Sequence, residues 1–502
     1  MTPFNMEIDK DSSIPMYIQV AEYIERLIKN RKLNTGDKLP PIRKLAGTLD
    51  VNNVTIVNAY KLLENKGLVN SIIGSGYYVS EQEYSYGTFN GPVIDNNAQG
   101  EVLQCENNLK LMTNGQIEVT STTINFASAT PDPGNFPFES FKAALNEVMD
   151  RDKGYAFGYQ ESNGYEPLRE SLCDYFLRES GISASADNIQ IVSGAQQGID
   201  IIGKSLLNSG DYVITENPTY TGASAVFKSR GANVIGIPME SDGINLAMLE
   251  SSIITYRPKL IYVMTQFQNP TTISYSIDKL KKLLSLAEKY NIFIVEDDSL
   301  SGLSYDSNYV GTTLKSMDYN DRVIYIKSFS KLLMPGLRIG FIVSPDKLLQ
   351  GFMAAKHTTD ISSSGLIQRA LQLYFKNGHW EEHLNYMKDI YREKYLTMVE
   401  ELKKLQDLGA VYTNPMGGLN FWITLPKNIS ASKLYDECSR EDVLIVPCTV
   451  FYVNKDKNKD NAIRISYAAT SISDIHEGIS IIAKCIKRLQ QTKKSTYISP
   501  LI

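Results

Sequence analysis

The chain has few of the residues that build covalently cross-linked or metal-held scaffolds. Its 502 residues include only five cysteines and four histidines. The cysteines are scattered and form no C-x-x-C pair, which argues against a disulfide framework and a cysteine-ligated zinc site. No uninterrupted apolar run approaches the roughly 18 residues of a membrane-spanning helix. The N-terminus also lacks the cationic segment followed by an apolar one that marks a signal peptide. We therefore expect a cytoplasmic protein with no membrane partner, and the scattered cysteines lead us to expect no metal.

The charge is nearly balanced when it is averaged over the chain. With 51 Lys and Arg against 56 Asp and Glu, the net charge of −5 gives no sign of a nucleic-acid-binding protein. Residues 1–80 differ from this average, because they hold ten basic and eight acidic side chains. The acidic excess therefore belongs to the rest of the chain. The length and the 43% hydrophobic content favour two or more folded domains.

Residues 14–80 have the pattern of a small helical module followed by a hairpin. Apolar residues recur at helical spacing in the first part, and a turn cluster follows them. Pro41 opens a short second helix, and residues 51–53 supply caps for a third. The stretch 67–79 is typical of a β-hairpin with a glycine-rich tip at 74–76. Two short helices joined by a tight turn predict a helix-turn-helix, so we place a first domain at 1–80.

Two further regions follow this module. Residues 81–123 are rich in Asn, Ser, Gln, Gly and Glu with little periodicity, which predicts a linker. From residue 124 to residue 502, β-branched apolar runs alternate with helical patterns, and such alternation predicts a mostly parallel sheet covered by helices. The expected buried strands are Ile189–Val192, Tyr212–Thr215, Leu260–Met264, Ile292–Val295, Val323–Ile326 and Gly340–Val343.

Motifs at the ends of these strands carry the chemistry, because ligands bind at the carboxyl ends of parallel strands. Small residues at 193–196 lead from a strand into a helix, where free backbone N–H groups and the helix dipole favour an anion. Such residues also mark ordinary tight turns. The run Ser328-Phe329-Ser330-Lys331, followed by Pro335-Gly336-Leu337-Arg338, is far more specific, because it places a lysine, an arginine and hydroxyls directly after a strand.

Residues 124–502 resemble the fold-type I pyridoxal phosphate (PLP) aminotransferases, whose pattern S-x-S-K-x-x-x-P-G-x-R-x-G occurs at 328–340. The resemblance implies a mostly parallel α/β domain with a smaller C-terminal α+β subdomain. It makes Lys331 the catalytic lysine that bonds to the cofactor, and Asp297 the carboxylate that keeps the pyridine nitrogen protonated. The remaining cofactor-binding residues that it implies are Asn269, Tyr220, Arg338, Ser328, Gly194, Ala195, Gln196 and Tyr159.

Two of the implied roles concern partners of the domain. Tyr159 matches a tyrosine that reaches the phosphate of the neighbouring subunit, which implies a homodimer. Arg464 matches the arginine that binds the substrate α-carboxylate as a bidentate fork. Taken singly, Asp297, Tyr220 and Arg464 also suit a strand cap, a core ring and a surface ion pair, but their order over nearly 380 residues favours the cofactor.

The chain departs from this family at several positions. The family has a tyrosine two or three residues after the ring-nitrogen aspartate, whereas this chain has Ser299 and Leu300 there. Thr272 stands where N-P-T-G has glycine, and Cys448 stands where a glycine usually follows proline. These changes bear on catalysis and on the substrate entrance more than on cofactor binding.

Residues 14–80 resemble the winged helix-turn-helix of GntR-type regulators, through the run Gly36-Asp37-Lys38-Leu39-Pro40-Pro41-Ile42-Arg43. The resemblance implies a double-stranded DNA operator as partner. A small packing module that binds no DNA is the alternative. The residues expected to contact DNA are Arg43, Lys44, Asn52, Asn53 and Thr55.

Joined in this order, the two modules resemble the MocR-type subgroup of GntR regulators. We expect a dimeric, PLP-binding transcription regulator whose aminotransferase-like domain senses PLP or an amino compound. The alternative is a working aminotransferase with an accessory DNA-binding module. The segment 379–383 matches the metalloprotease pattern H-x-x-E-H, but it begins an amphipathic helix and no third ligand is suggested, so we expect no metal there.

Overall fold

The chain divides into two compact units, Met1–Asn107 with Ser439–Glu441 and Asn108–Cys438 with Asp442–Ile502. The predicted linker lies outside the described residues except for Thr123, and so do Gly74 and Ser75 of the predicted hairpin tip. Among the described helices, none combines the length and the apolar character needed to cross a bilayer. The computed structural model describes residues 6, 8, 15–29, 32–33, 36–65, 68–72, 76–80, 123–305, 309, 311–454 and 459–495.

The N-terminal unit contains three helices and a two-stranded hairpin, as predicted. Tyr60 donates its hydroxyl to the Pro40 carbonyl at 2.7 Å and so ties the third helix to the segment before the second. Apolar side chains of all three helices and of the hairpin form one core, which includes Ile24, Leu45 and Leu63. The elements are α1 (Met16–Lys29), α2 (Ile42–Thr48), α3 (Asn53–Asn65), β1 (Val69–Ile72) and β2 (Gly76–Val79).

An eight-stranded sheet forms the centre of the C-terminal unit. Its strands are β4 (Ile189–Val192), β5 (Tyr212–Asn217), β6 (Asn233–Glu240), β7 (Gly243–Ile244), β8 (Leu260–Val263), β9 (Phe293–Asp298), β10 (Val323–Ser328) and β11 (Gly340–Val343). They lie in the order β4-β11-β10-β9-β8-β5-β6-β7. The pairs from β10 across to β6 are parallel, whereas β11 is antiparallel to both neighbours and β7 to β6. The six predicted strands and the mostly parallel sheet are confirmed.

Both faces of this sheet are covered, which explains why its strands are apolar throughout. Along β10, Tyr325 packs in one core cluster with Phe176, whereas Ile324 and Ile326 pack in another. The helices of the unit are α4 (Phe138–Asp152), α5 (Glu166–Ser180), α6 (Ala195–Leu206), α7 (Thr221–Ser229), α8 (Leu246–Tyr256), α9 (Ile277–Lys289), α10 (Leu349–Asp360), α11 (Gly365–Lys376), α12 (His379–Gln406), α13 (Ala431–Arg440) and α14 (Ile472–Ser495).

A second, smaller sheet lies in the last third of the chain, as expected for the α+β subdomain. Its strands are β12 (Val411–Tyr412), β13 (Asn420–Thr424), β15 (Val446–Pro447) and β16 (Ala462–Ser466). They run antiparallel in the order β12-β13-β16-β15. A short parallel pair, β3 (Ile124–Asn125) with β14 (Val443–Leu444), joins the start of the unit to this part.

Candidate functional site

The turn between β4 and α6 leads into the N-terminus of a helix and has a guanidinium beside it, which suits an anion. Gly194 caps α6 with φ +86°, in the left-handed region that favours glycine. The Arg338 guanidinium donates from Nη2 to the Ser193 carbonyl at 2.9 Å. A Cβ at Gly194 would lie 2.9 Å from the same Nη2 atom. The backbone N–H groups of Ala195 and Gln196 begin the helix at this point, so Arg338 lies beside the turn that the sequence predicts to bind an anion.

Tyr220 borders this turn from the end of the next strand. It caps α7, and its hydroxyl donates to Gln196 Oε1 at 3.1 Å. Gln196 in turn donates from Nε2 to the Gly222 carbonyl at 3.0 Å. Burial raises the pKa of Tyr220 to about 12, so the phenol stays neutral and keeps its donor. The ring is therefore held in a fixed position beside the anion site.

Lys331 lies in the turn that follows β10. Burial first, and then the positive charges of Arg464 and Arg338, lower its pKa to about 8. A fraction of its amine is therefore neutral near pH 7, which a nucleophilic lysine needs. Ser328 shapes the turn, because its Oγ donates to Ser330 Oγ at 3.1 Å and accepts from the Ser330 N–H at 3.3 Å.

Asp297 lies at the carboxyl end of β9 and is buried. Its Oδ2 accepts from the Tyr262 hydroxyl at 2.6 Å, and its Oδ1 accepts from Ser299 Oγ at 3.3 Å. Burial raises the pKa of Asp297 to about 6, the Tyr262 bond opposes this rise, and the charge of Asp298 adds to it. The carboxyl is therefore mostly ionised at neutral pH, as a partner of a protonated ring nitrogen must be.

Arg464 reaches the site from β16 of the small sheet. Nη1 donates to Asn269 Oδ1 at 3.2 Å, and Nη2 donates to the Ala127 carbonyl. The residue is 8% exposed, yet its Nε has no hydrogen-bond partner among the described residues. The Phe451 ring lies 5.3 Å from the guanidinium carbon. A buried, partly unsatisfied guanidinium calls for an anionic ligand such as a carboxylate.

These groups fit PLP on chemical grounds. The Gly194 turn with Arg338 suits a phosphate, buried Asp297 suits a protonated pyridine nitrogen, and Lys331 supplies an amine of lowered pKa. Tyr159 differs from these groups in its exposure, because its side chain is 85% exposed on this chain. The individual roles of these residues remain predictions.

The five predicted DNA-contacting residues lie on α2, on α3 and at the cap between these helices. Arg43 and Lys44 are exposed in the first turn of α2. Asn52 caps α3, because its Oδ1 accepts from the Val54 N–H at 3.0 Å. Asn53 is exposed and Thr55 is half-buried in the first turn of that helix. The first turn of α2 therefore exposes two cations, and the first turn of α3 exposes Asn53 directly after the Asn52 cap.

Sequence reasoning missed Tyr262 and the carbonyl of Ala127. A signal for Tyr262 was present, since it lies on a predicted strand beside the strand that ends in Asp297. Tyr262 is level with Val295 in the β8–β9 register, two residues before Asp297. Two residues along a strand share a face, so the tyrosine points to the same side as the carboxylate. Nothing local in the sequence marks Ala127.

The H-x-x-E-H segment makes ordinary contacts. His379 Nδ1 lies 3.1 Å from Glu382 Oε2, and His383 Nε2 lies 2.8 Å from the Leu332 carbonyl. Over the described part of the chain, no group of three or more His, Cys, Asp or Glu side chains is placed to hold a metal ion. The motif thus has a structural explanation at the start of α12.

The chain matches the family Aminotransferase class I and II over residues 121–482, and the gntR family of bacterial regulatory proteins over residues 16–79. It is 31% identical to the uncharacterized HTH-type transcriptional regulator YdfD of Bacillus subtilis (strain 168), over 96% of this chain and 98% of that protein. The regulator relationship therefore spans both modules.

Solved aminotransferases share the C-terminal unit. The multiple substrate aminotransferase of Thermococcus profundus is 32% identical, with a TM-score of 0.71 over 78% of this chain and 96% of that one. LysN, the alpha-aminoadipate aminotransferase of Thermus thermophilus, was solved with N-(5'-phosphopyridoxyl)-L-leucine. It is 30% identical, with a TM-score of 0.69 over 75% of this chain and 95% of that one.

These matches confirm the predicted fold, the DNA-binding module and PLP as the cofactor. The chain belongs to the aminotransferase class I and II family, and a GntR-family DNA-binding domain precedes that domain in the MocR-type arrangement.

Proposed function

We propose that the chain is a homodimeric transcription regulator in which PLP and an amino acid, bound at the Lys331–Arg464 site, change the affinity of the helix-turn-helix for an operator. The coupling requires that the ligand bind two conformations of the dimer with different affinities. A ligand that binds both equally would leave DNA binding unchanged.

The observation that carries this proposal is the state of Arg464. Two of its donors are engaged by Asn269 and Ala127, while Nε is buried without a partner in the described structure. Leaving a buried donor unsatisfied costs about 1–3 kcal/mol, and more for a charged group. A carboxylate would remove that penalty through charge-assisted hydrogen bonds. Arg464 therefore favours an amino acid as ligand.

Lys331 supports the amino half of the same ligand. Its lowered pKa, about 8, keeps part of its amine neutral and able to exchange bonds with an incoming amine. PLP, when bound, supplies an electrophilic carbonyl and an electron-withdrawing ring. Arg338 and the Gly194 turn would hold its phosphate, and Asp297 its ring nitrogen. An α-amino acid then meets a cation for its carboxylate and a carbonyl for its amine.

Exposed aromatic side chains support the homodimer. Tyr155, Phe157 and Tyr159 are all exposed within one five-residue segment of the C-terminal unit. Solvent-exposed aromatic clusters mark interaction surfaces, and aromatic residues are enriched in interfaces. In the family that the chain resembles, the tyrosine at position 159 completes the neighbouring site. A dimer would also pair two helix-turn-helix modules, which matches operators built from two half-sites.

The test measures the PLP absorbance band and operator binding in the full-length protein. Lys331→Ala should lose the visible band and the response of DNA binding to PLP and amino acids. Arg464→Gln should keep the band but lose the amino-acid response. Lys347→Ala, an exposed lysine in the same unit, is the control and should behave as wild type. If Lys331→Ala retains the full response, the site does not control DNA binding.

A working aminotransferase is the second candidate function. Lys331, Asp297 and Arg464 favour it, because they are the groups that transamination needs. Ser299 and Leu300 weigh against it, because the usual tyrosine is missing. Repeated turnover of amino acid and keto acid, measured with the purified protein and a broad panel of amino acids, separates the two. A single conversion without turnover supports a sensor, and no conversion with any amino acid excludes the enzyme.

A further inference from the structure

The first turn of α3 exposes an apolar side chain in the middle of a polar surface. Val54 is 61% exposed, whereas Ile56, Ala59 and Tyr60 on the same helix are buried. Single exposed apolar residues are common on protein surfaces, so the exposure of Val54 does not by itself indicate a binding site. Its position matters, because Val54 belongs to the second helix of a helix-turn-helix, near the N-terminal end that meets base edges.

The asparagines around Val54 divide into one that is engaged and two that are available. Asn52 accepts from the Val54 N–H and is used as the cap of α3. Asn53 and Asn58 are exposed, and neither side chain hydrogen-bonds to any part of the chain that the structure describes. Helical spacing places Val54 and Asn58 one turn apart on the same outer face. This face thus presents two methyl groups and the free amide of Asn58, and the amide of Asn53 lies one residue before Val54 in the first turn of the helix.

The residue types on this face match one kind of base pair. In the major groove, thymine shows a methyl group, and adenine shows an N7 acceptor beside an N6 donor that asparagine pairs with bidentately. Guanine is read by Arg or Lys, and cytosine by Asp or Glu. Residues 53–58, Asn-Val-Thr-Ile-Val-Asn, contain neither type. Lys61 lies seven residues beyond Val54, about 10 Å along the helix axis, and suits a phosphate.

We infer that Val54, Asn53 and Asn58 read A·T base pairs in the operator, with Val54 packed against a thymine C5 methyl group. Arg43 and Lys44 then position the module on the phosphates and add affinity without sequence preference. The inference rests on the proposed function only in requiring that the module bind an operator. It concerns which bases are read.

The experiment begins with the full-length, PLP-loaded protein and a pool of random-sequence DNA duplexes. Sites enriched by selection are resynthesised with single thymines replaced by deoxyuridine, which removes the methyl group and keeps the base pair. At the contacted thymine, wild-type affinity should fall about fourfold, which corresponds to the ~0.8 kcal/mol of one buried carbon group. Val54→Ala should bind thymine and deoxyuridine sites almost equally. Val411→Ala, another exposed valine, should discriminate like wild type.

A second arm tests the amides. Replacing the contacted adenine by 7-deazaadenine removes the N7 acceptor, and it should lower the affinity of the wild-type protein for the duplex. The replacement should not lower the affinity of the variant that lacks the contacting asparagine, which is either Asn53→Ala or Asn58→Ala. Unchanged melting temperatures will show that each variant is folded.

The outcomes separate the two claims. If no duplex is enriched, DNA binding itself fails, and the proposed function falls with the inference. If sites are enriched but deoxyuridine has no effect at any thymine, or Val54→Ala keeps the wild-type discrimination, the inference is overturned and the proposed function stands. Enriched sites in which only G·C pairs are invariant would also overturn it.

Discussion

Tyr262→Phe should shift the pH range over which the protein binds PLP. Tyr262 is fully buried on β8, and its hydroxyl donates to Asp297 Oδ2 at 2.6 Å. The substitution removes one oxygen and leaves the ring in its packing with Phe227, whose centroid lies 5.9 Å away. Ser299 remains at 3.3 Å from Oδ1. The change is therefore confined to one hydrogen bond of the carboxylate.

The size of the shift follows from the strength of that bond. A hydrogen bond to a charged group contributes about 1.5–3 kcal/mol, and about 1.36 kcal/mol shifts a pKa by one. The bond lowers the pKa of Asp297, so its loss raises that pKa by about one to two pH units from its present value of about 6. If the ionised carboxyl holds the protonated ring nitrogen, as we propose, wild-type affinity for PLP should fall as the pH drops through about 6. The variant should lose affinity at a pH one to two units higher.

The assay is a titration of the cofactor-free protein with PLP, followed by visible absorbance, at a series of pH values from about 5.5 to about 8.5, chosen to bracket the expected shift. Tyr325→Phe is the matched control, because the Tyr325 hydroxyl donates at 2.6 Å to the neighbouring carboxylate, Asp298 Oδ2. It removes an equivalent buried hydrogen bond and leaves both hydrogen bonds of Asp297 in place. If Tyr262→Phe keeps the wild-type midpoint, or Tyr325→Phe shifts it equally, the tyrosine does not tune the aspartate.

Two further substitutions test other parts of the site. Gly194→Ala should weaken PLP binding by about tenfold or more, because the residue has φ +86° and a new Cβ would lie 2.9 Å from Arg338 Nη2. Unchanged affinity in the same titration would contradict the proposal that this turn and Arg338 hold the phosphate. Lys327→Met should lower the free energy of unfolding by about 3 kcal/mol. The Lys327 Nζ atom donates to buried Asp298 at 3.0 Å, and the substitution removes this cation from the carboxylate. Urea denaturation measures the change, and a loss below about 1 kcal/mol would mean that the remaining donors to Asp298 suffice.

The predictable part of the fold is the part that is apolar on both faces. The six predicted strands are the ones with continuous apolar runs, and the sheet contains them all. The strand β6 was missed because only Val234 and Ile237 of Asn233–Glu240 are buried and because the strand includes Gly236 and Pro238. It lies next to the last strand of the sheet, where one-sided exposure removes the apolar run. The pattern that identifies a central strand is thus absent where burial is incomplete.

In the site too, the sequence predicts residues that are close together in the chain and misses contacts between distant ones. Lys331 and Arg338 were identified because they lie in one short motif after a strand. The contact between Asn269 and Arg464 joins residues 195 positions apart, and no local pattern encodes it. The family resemblance supplied both residues but not the hydrogen bond between them. Nor did it show that the buried Arg464 Nε has no hydrogen-bond partner in the part of the chain that the structure describes. Those facts depend on how two sheets are brought together.

The missing tyrosine bears on the choice between sensor and enzyme. Leu300 is buried in the hydrophobic core, and its N–H donates to Asp298 rather than serving the site. The chain therefore keeps Lys331 and Arg464, to which we assign ligand binding, and lacks the tyrosine that the family has beside the ring-nitrogen aspartate. Binding alone suffices to shift a two-state equilibrium, whereas turnover would destroy the signal that the ligand carries. A site that retains recognition and loses a catalytic group is what selection for sensing would produce, and this reasoning favours the regulator.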